Sequence, residues 1–111
     1  MSGQDLMNEL AAKVSMLDVA LKALGDRGRA FAQSEMDYRI ALAEKILVER
    51  DKNTPVTIIG DIGRGDRKIA KLRFDRTCAE IVYKAALEAI NVYKLQAKIL
   101  ENQIDREWNR S

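Results

Sequence analysis

The chain has no histidine. That removes the commonest general base, the usual catalytic triad and most transition-metal sites together. One thiol, Cys78, remains. It has no imidazole to activate it and lies in a largely apolar helical stretch, so it reads as a packed residue rather than a reactive one. A lone cysteine also excludes an intramolecular disulfide. Carboxylate pairs such as Asp26 with Glu35, or Glu44 with Glu49, come without the apolar pocket and second group that acid–base chemistry requires. Others, such as Glu80 with Lys84 four residues on, read as helix-supporting ion pairs. No cofactor or metal is expected, and the chain is read as non-enzymatic.

Two further stretches carry types that bind ligands elsewhere. Gly60-Asp61-Ile62-Gly63-Arg64-Gly65-Asp66 precedes a helical pattern, as phosphate-cradling loops do. A P-loop needs Gly-Lys-Ser/Thr at its end, where lysine and hydroxyl meet phosphate and Mg²⁺. Here Gly65 leads into Asp66-Arg67-Lys68, and Asp66 would repel a phosphate. No alternating strand and helix pattern supports a dinucleotide fold either. Turn geometry is the better account of these glycines. Arg64-Gly65-Asp66 also matches the integrin-recognition tripeptide, but the first residues, MSGQDLMNEL, lack the basic and apolar regions of a secretion signal.

The formal net charge is +2, and it is unevenly placed. Residues 60–76 hold six basic groups against three acidic, whereas 25–59 and 77–111 are balanced and 1–24 is slightly acidic. Arg64, Arg67, Lys68 and Lys71 share one face if a helix begins near Arg64. Such a patch could follow a nucleic-acid backbone. No aromatic platform interleaves it and Asp61, Asp66 and Asp75 dilute it, so a solvated face is the better account.

The elements that position these residues are helices. At 111 residues the chain is a single domain, and 47% apolar with 32% charged and 5% aromatic residues points away from a β-rich fold. Leu6, Leu10, Val14, Leu17, Leu21 and Leu24 recur at steps of three and four, a coiled-coil seam, with Asp5 as a cap or first-turn anion. Gly25-Asp26-Arg27-Gly28 interrupts it, as a break, a kink or a place where another backbone approaches closely; a kinked continuous helix is expected over a full turn. The apolar track then resumes in shifted phase at Phe31, Met36, Ile40, Ala43 and Leu47. Pro55 disfavours helix at Thr54, so the first helix should end near Asp51 to Asn53. Asp66 is the expected cap of a second helix. Its seam is Ala79, Val82, Ala86, Ala89, Tyr93, Ala97, Leu100 and Ile104, flanked by Ile81, Ala85, Val92, Leu95 and Ile99. Tyr93 and Trp108 read as core or interface anchors. The expected fold is all-α: one long antiparallel helical hairpin with helices over about 4–52 and 66–107 and an ordered, non-helical tip over about 53–65.

A two-helix hairpin buries one stripe of each helix, so its core is thin and self-association into a dimer or larger helical bundle is expected. Leu10, Leu17, Leu21, Val82, Ala86, Tyr93, Leu100 and Ile104 are the candidate oligomer seam. The tip spends Val56, Ile58, Ile59 and Ile62 on a connection that a few polar residues could close. Ile58, Ile59, Ile62, Arg64, Arg67, Lys68 and Lys71 are therefore the candidate partner-binding surface, with capping of the bundle end as the alternative use of the isoleucines. No apolar run approaches the ~18 residues of a membrane span, and the composition fits a soluble protein of a reducing compartment.

The run Ile99 to Trp108 (ILENQIDREW), together with Thr54-Pro-Val-Thr-Ile-Ile and Arg64-Gly-Asp66, resembles small helical accessory proteins from phages and other mobile elements of Gram-positive bacteria. That resemblance implies a protein of the host-cell cytoplasm that acts by binding, in recombination or by blocking a host factor. The expected function is a helical protein-binding module with another protein as partner, and nucleic-acid binding through the basic tip as the alternative.

Overall fold

The computed structural model describes the backbone of residues 2–110 and the side chains of residues 2–109. It contains three helices, α1 (Gly3–Asp51), α2 (Val56–Gly65) and α3 (Arg67–Arg110). The fold is an all-α helical hairpin. None of these helices is long and apolar enough to cross a membrane.

Each helix end has a local chemical cause. Ser2 caps α1: the Asp5 N–H donates to Ser2 Oγ (3.1 Å) and the Ser2 N–H donates to Asp5 Oδ2 (3.3 Å), the reciprocal pairing of a capping box. At the other end Asn53 takes a left-handed backbone (φ 59°). Its N–H donates to Arg50 O and the Thr54 N–H to Glu49 O, the two bonds of a Schellman stop. Asparagine tolerates that conformation better than most side chains, and Pro55 bars the helix from continuing. Asp66 is extended and forms the only residue between α2 and α3. Its Oδ1 accepts from the N–H groups of Lys68 and Ile69, so it caps α3 as expected.

The expectation for the tip needs correction. The tip is not a non-helical turn, because Val56–Gly65 is a helix of ten residues. Three glycines and a β-branched run give it weak intrinsic propensity. Ile59 and Gly63, four apart on one face, are nevertheless buried, and that packing overrides the local preference. A Cβ at Gly63 would meet Leu42 Cδ1 at 2.9 Å, so glycine is what lets α2 lie this close to α1. The continuous helix expected through Gly25–Gly28 is present, with no full turn there. Gly28 marks a close approach, since a Cβ there would lie 3.3 Å from the Tyr83 ring.

The chain divides into two compact units, Arg27–Tyr83 and the pair of segments Met1–Asp26 with Lys84–Ser111. In the first, α1 and α3 pair antiparallel. Gly28 meets Tyr83, Glu35 meets Arg76 and Lys45 meets Asp66, so each advance along α1 is matched by an equal retreat along α3. Tyr38, Ile59 and Ile69 are its buried apolar side chains. In the second unit Leu6, Ile90 and Leu100 are buried, and Gly3, Gln4 and Met7 share a cleft with Ile104, Glu107 and Trp108.

The inward track of α3 passes through Ile69, Leu72, Arg76, Ala79, Tyr83, Ala86, Ile90, Tyr93, Ala97, Leu100 and Ile104, all buried or half-buried. It shares Ala79, Ala86, Tyr93, Ala97, Leu100 and Ile104 with the expected seam, whose Ala89 is half-buried beside Ile90, and it passes through Tyr83 where Val82 was expected. Leu10 and Leu17 are half-buried, whereas Leu21 and Val82 are exposed. Cys78 is exposed rather than packed, because its position on α3 falls outside the inward track. Trp108 is 70% exposed and is not a core residue.

Candidate partner-binding surface at the helical tip

The tip is fixed by one carboxylate. Glu49, on the last turns of α1, is buried. Its Oε2 accepts from Thr54 Oγ1 at 2.7 Å, and its Oε1 faces Lys45 Nζ at 3.3 Å and Lys52 Nζ at 3.9 Å. Lys45 Nζ also reaches Asp66 Oδ2 at 3.7 Å, which links α1 to the cap of α3. The hydrogen bond from Thr54, then the lysine charges, hold the Glu49 carboxyl below its ordinary value. Asp66 is likewise held low, first by the Ile69 N–H and then by the Lys68 N–H and Lys45.

A second polar tie lies deeper in the same unit. Arg76 donates from Nη1 to Glu35 Oε2 at 3.0 Å while its guanidinium sits over the Tyr38 ring, 5.0 Å from the centroid. Arg39 donates to the other oxygen of Glu35 at 2.7 Å. Hydrogen bonds from Arg39 and then Arg76 lower the Glu35 pKa. Tyr83 and Phe31 pack with ring centroids 6.0 Å apart. Among the described residues no cluster of His, Cys, Asp or Glu could hold a metal ion.

Against this frame the candidate tip residues fall into two sets. Ile59 is buried and Ile62 half-buried, so they serve the α2 packing. Ile58 (44% exposed), Arg64, Arg67, Lys68 and Lys71 face outward, joined by Val56 at 77% exposure. Two of the four cations are already engaged within their own helices, Arg64 with Asp61 (2.9 Å) and Lys71 with Asp75. Lys71 also lies 5.7 Å from the Phe74 ring centroid. The side chains of Arg67 and Lys68, in the first turn of α3, have no acidic partner among the described residues. The Glu49 anchor was missed by sequence reasoning; its only signal is a carboxylate one turn before a Thr-Pro stop. No family model matches the chain, and no curated protein or solved structure is similar to it.

Proposed function

We propose that the chain is a non-enzymatic helical module that binds another protein through the outward face of its tip. The observation that carries this reading is the surplus of apolar surface there. Ile59 and Gly63 are already buried in α2, yet Val56 and Ile58 remain exposed on α2, as do Arg67 and Lys68 on the first turn of α3. Apolar side chains supply buried area to an interface, and neighbouring charges set orientation and on-rate. The internal pairing of Arg64 and Lys71 weakens the case for a nucleic-acid surface, because it removes half of the cationic patch. The resemblance of Ile99 to Trp108, Thr54 to Ile59 and Arg64 to Asp66 to phage and mobile-element proteins supports a host-cell protein as the partner, met in the cytoplasm.

The test is capture of the partner by wild type and by the triple variant Arg64→Glu, Arg67→Glu, Lys68→Glu, with helicity followed by circular dichroism. The proposal expects affinity to fall about tenfold or more at unchanged helicity, with a shallow salt dependence set mainly by Val56 and Ile58. A slope of several decades per decade of salt identifies a nucleic-acid partner instead. Unchanged affinity in the triple variant removes the tip as the site.

A further inference from the structure

We propose that the outward face of α3 is a self-association surface on which the α3 of a second copy packs antiparallel. Phe74, Cys78, Ile81, Ala85, Glu88, Val92, Leu95 and Ile99 recur at alternating steps of four and three, and all eight are exposed. Phe74, Ile81 and Leu95 are exposed by 62%, 63% and 62%. This stripe lies diametrically opposite the inward track. Phe74 and Tyr83, Ile81 and Ile90, and Ile90 and Ile99 are each nine residues apart, two and a half turns or about 180°. Positions nine on from Leu6, Leu10, Lys13 and Leu17 in α1 are Ser15, Val19, Lys22 and Asp26, mostly polar. α3 thus carries a second coiled-coil seam on its exposed side, longer than the apolar tracks that α1 exposes at Met7, Val14 and Leu21 and at Met36, Ile40 and Leu47.

The pattern of the stripe identifies its occupant, because it is its own complement when reversed. Antiparallel coiled coils pair each a-type position with a d-type position of the other helix. Centred between Ala85 and Glu88, that pairing sets Phe74 against Ile99 of the second copy, Cys78 against Leu95, Ile81 against Val92, and Ala85 against Glu88. Large side chains meet at both ends. The one carboxylate meets the smallest side chain, with Lys84 of the second copy beside it. Along one edge Val82 faces Ala89, which widens the apolar contact. Along the other Lys84 faces Asn91 and Lys98 faces Thr77, so no like charges oppose each other. A parallel pair in register would stack Glu88 on Glu88 in the middle of the seam, a repulsive arrangement that selects against it.

The demand for such a surface follows from the core. Among the described residues six apolar side chains are buried against nineteen large ones exposed, five of them on this stripe, and a contiguous exposed apolar patch marks an association site. The proposal names a second copy as one partner of the binding module and uses a surface other than the tip. A tip variant that loses its partner while remaining dimeric therefore separates failure of one reading from failure of the other.

The natural thiol makes the test direct. Leu95→Cys, oxidised with diamide, should give a covalent dimer whose peptide map shows Cys78 joined to position 95 of the second copy. The two sites lie 17 residues apart on one helix, about 25 Å, so they cannot bond within a chain. Wild type should be a dimer by light scattering at tens of micromolar, and Ile81→Lys with Val92→Lys should make it monomeric at unchanged helicity. A monomeric wild type, a dimer that survives Ile81→Lys with Val92→Lys, or cross-links joining only like positions would each overturn the proposal.

Discussion

The two compact units are built from the same pair of helices, yet they are held by different means. The unit of Met1–Asp26 with Lys84–Ser111 buries Leu6, Ile90 and Leu100, residues any coiled coil would use. The unit Arg27–Tyr83 adds directional ties: Arg76 on Glu35 and over Tyr38, Lys45 between Glu49 and Asp66, and Gly63 under Leu42. Apolar seams supply association without much discrimination, whereas charged hydrogen bonds and a glycine contact demand one geometry. The half that bears the tip is the half whose geometry is specified.

The sharpest way to break that contrast is to place a charge in each seam in turn. Leu100→Asp should cost at least about 3 kcal/mol, because a buried leucine is lost and a carboxylate is left without a partner. Hydrogen exchange should show α3 protection lost first between Lys84 and the end of α3, with the Glu49 and Asp66 corner protected longer. Equal loss along both units would mean they fold as one and the contrast has no thermodynamic content.

A smaller effect separates the glycines. Gly63→Val should destabilise by about 1–3 kcal/mol, since its Cβ alone would sit 2.9 Å from Leu42 Cδ1. Gly65→Ala, with nothing within 4 Å of the added carbon, should be neutral or stabilising by up to ~1 kcal/mol. Opposite signs in thermal melts confirm that close approach, rather than backbone freedom, fixes Gly63. The same sign would refute it.

The smallest expected effect is acid sensitivity, and its sign follows from the depressed carboxyls. Glu35, Glu49 and Asp66 each hold a proton less readily folded than unfolded. Their stabilisation is present above the ordinary values of 4.5 for glutamate and 3.8 for aspartate and is lost as pH falls below them. Melting temperature should therefore drop progressively below about pH 4.5, and Glu49→Gln should flatten that drop. A melt independent of pH between neutral and about 3 would show that the polar ties stabilise nothing.

Much of the hairpin could be read from the residues, and the exceptions have physical causes. The stop at Pro55 and the cap at Asp66 are local chemistry, so composition alone exposes them. α2 is hidden because its helicity comes from burying Ile59 and from the close approach of Gly63 to Leu42 of α1, a contact no local window contains. The α3 seam is blurred at Val82 and Tyr83 because adjacent stripes of that helix are all apolar. Glu35 and Arg76 stand 41 residues apart and look like any two surface charges until the antiparallel register brings them together. In the candidate site, the cations were visible as a cluster; which of them were already paired was not.

The single-residue junction at Asp66 makes chain length a phase selector. One residue inserted there would rotate α3 by about 100° about its axis, and two by about 200°. Because α3 is apolar on opposite sides, a two-residue insertion would turn the Phe74 to Ile99 stripe inward and the Tyr83 and Ile90 track outward. A small indel at this joint would thus exchange what the molecule hides for what it shows, with no change to the helix itself.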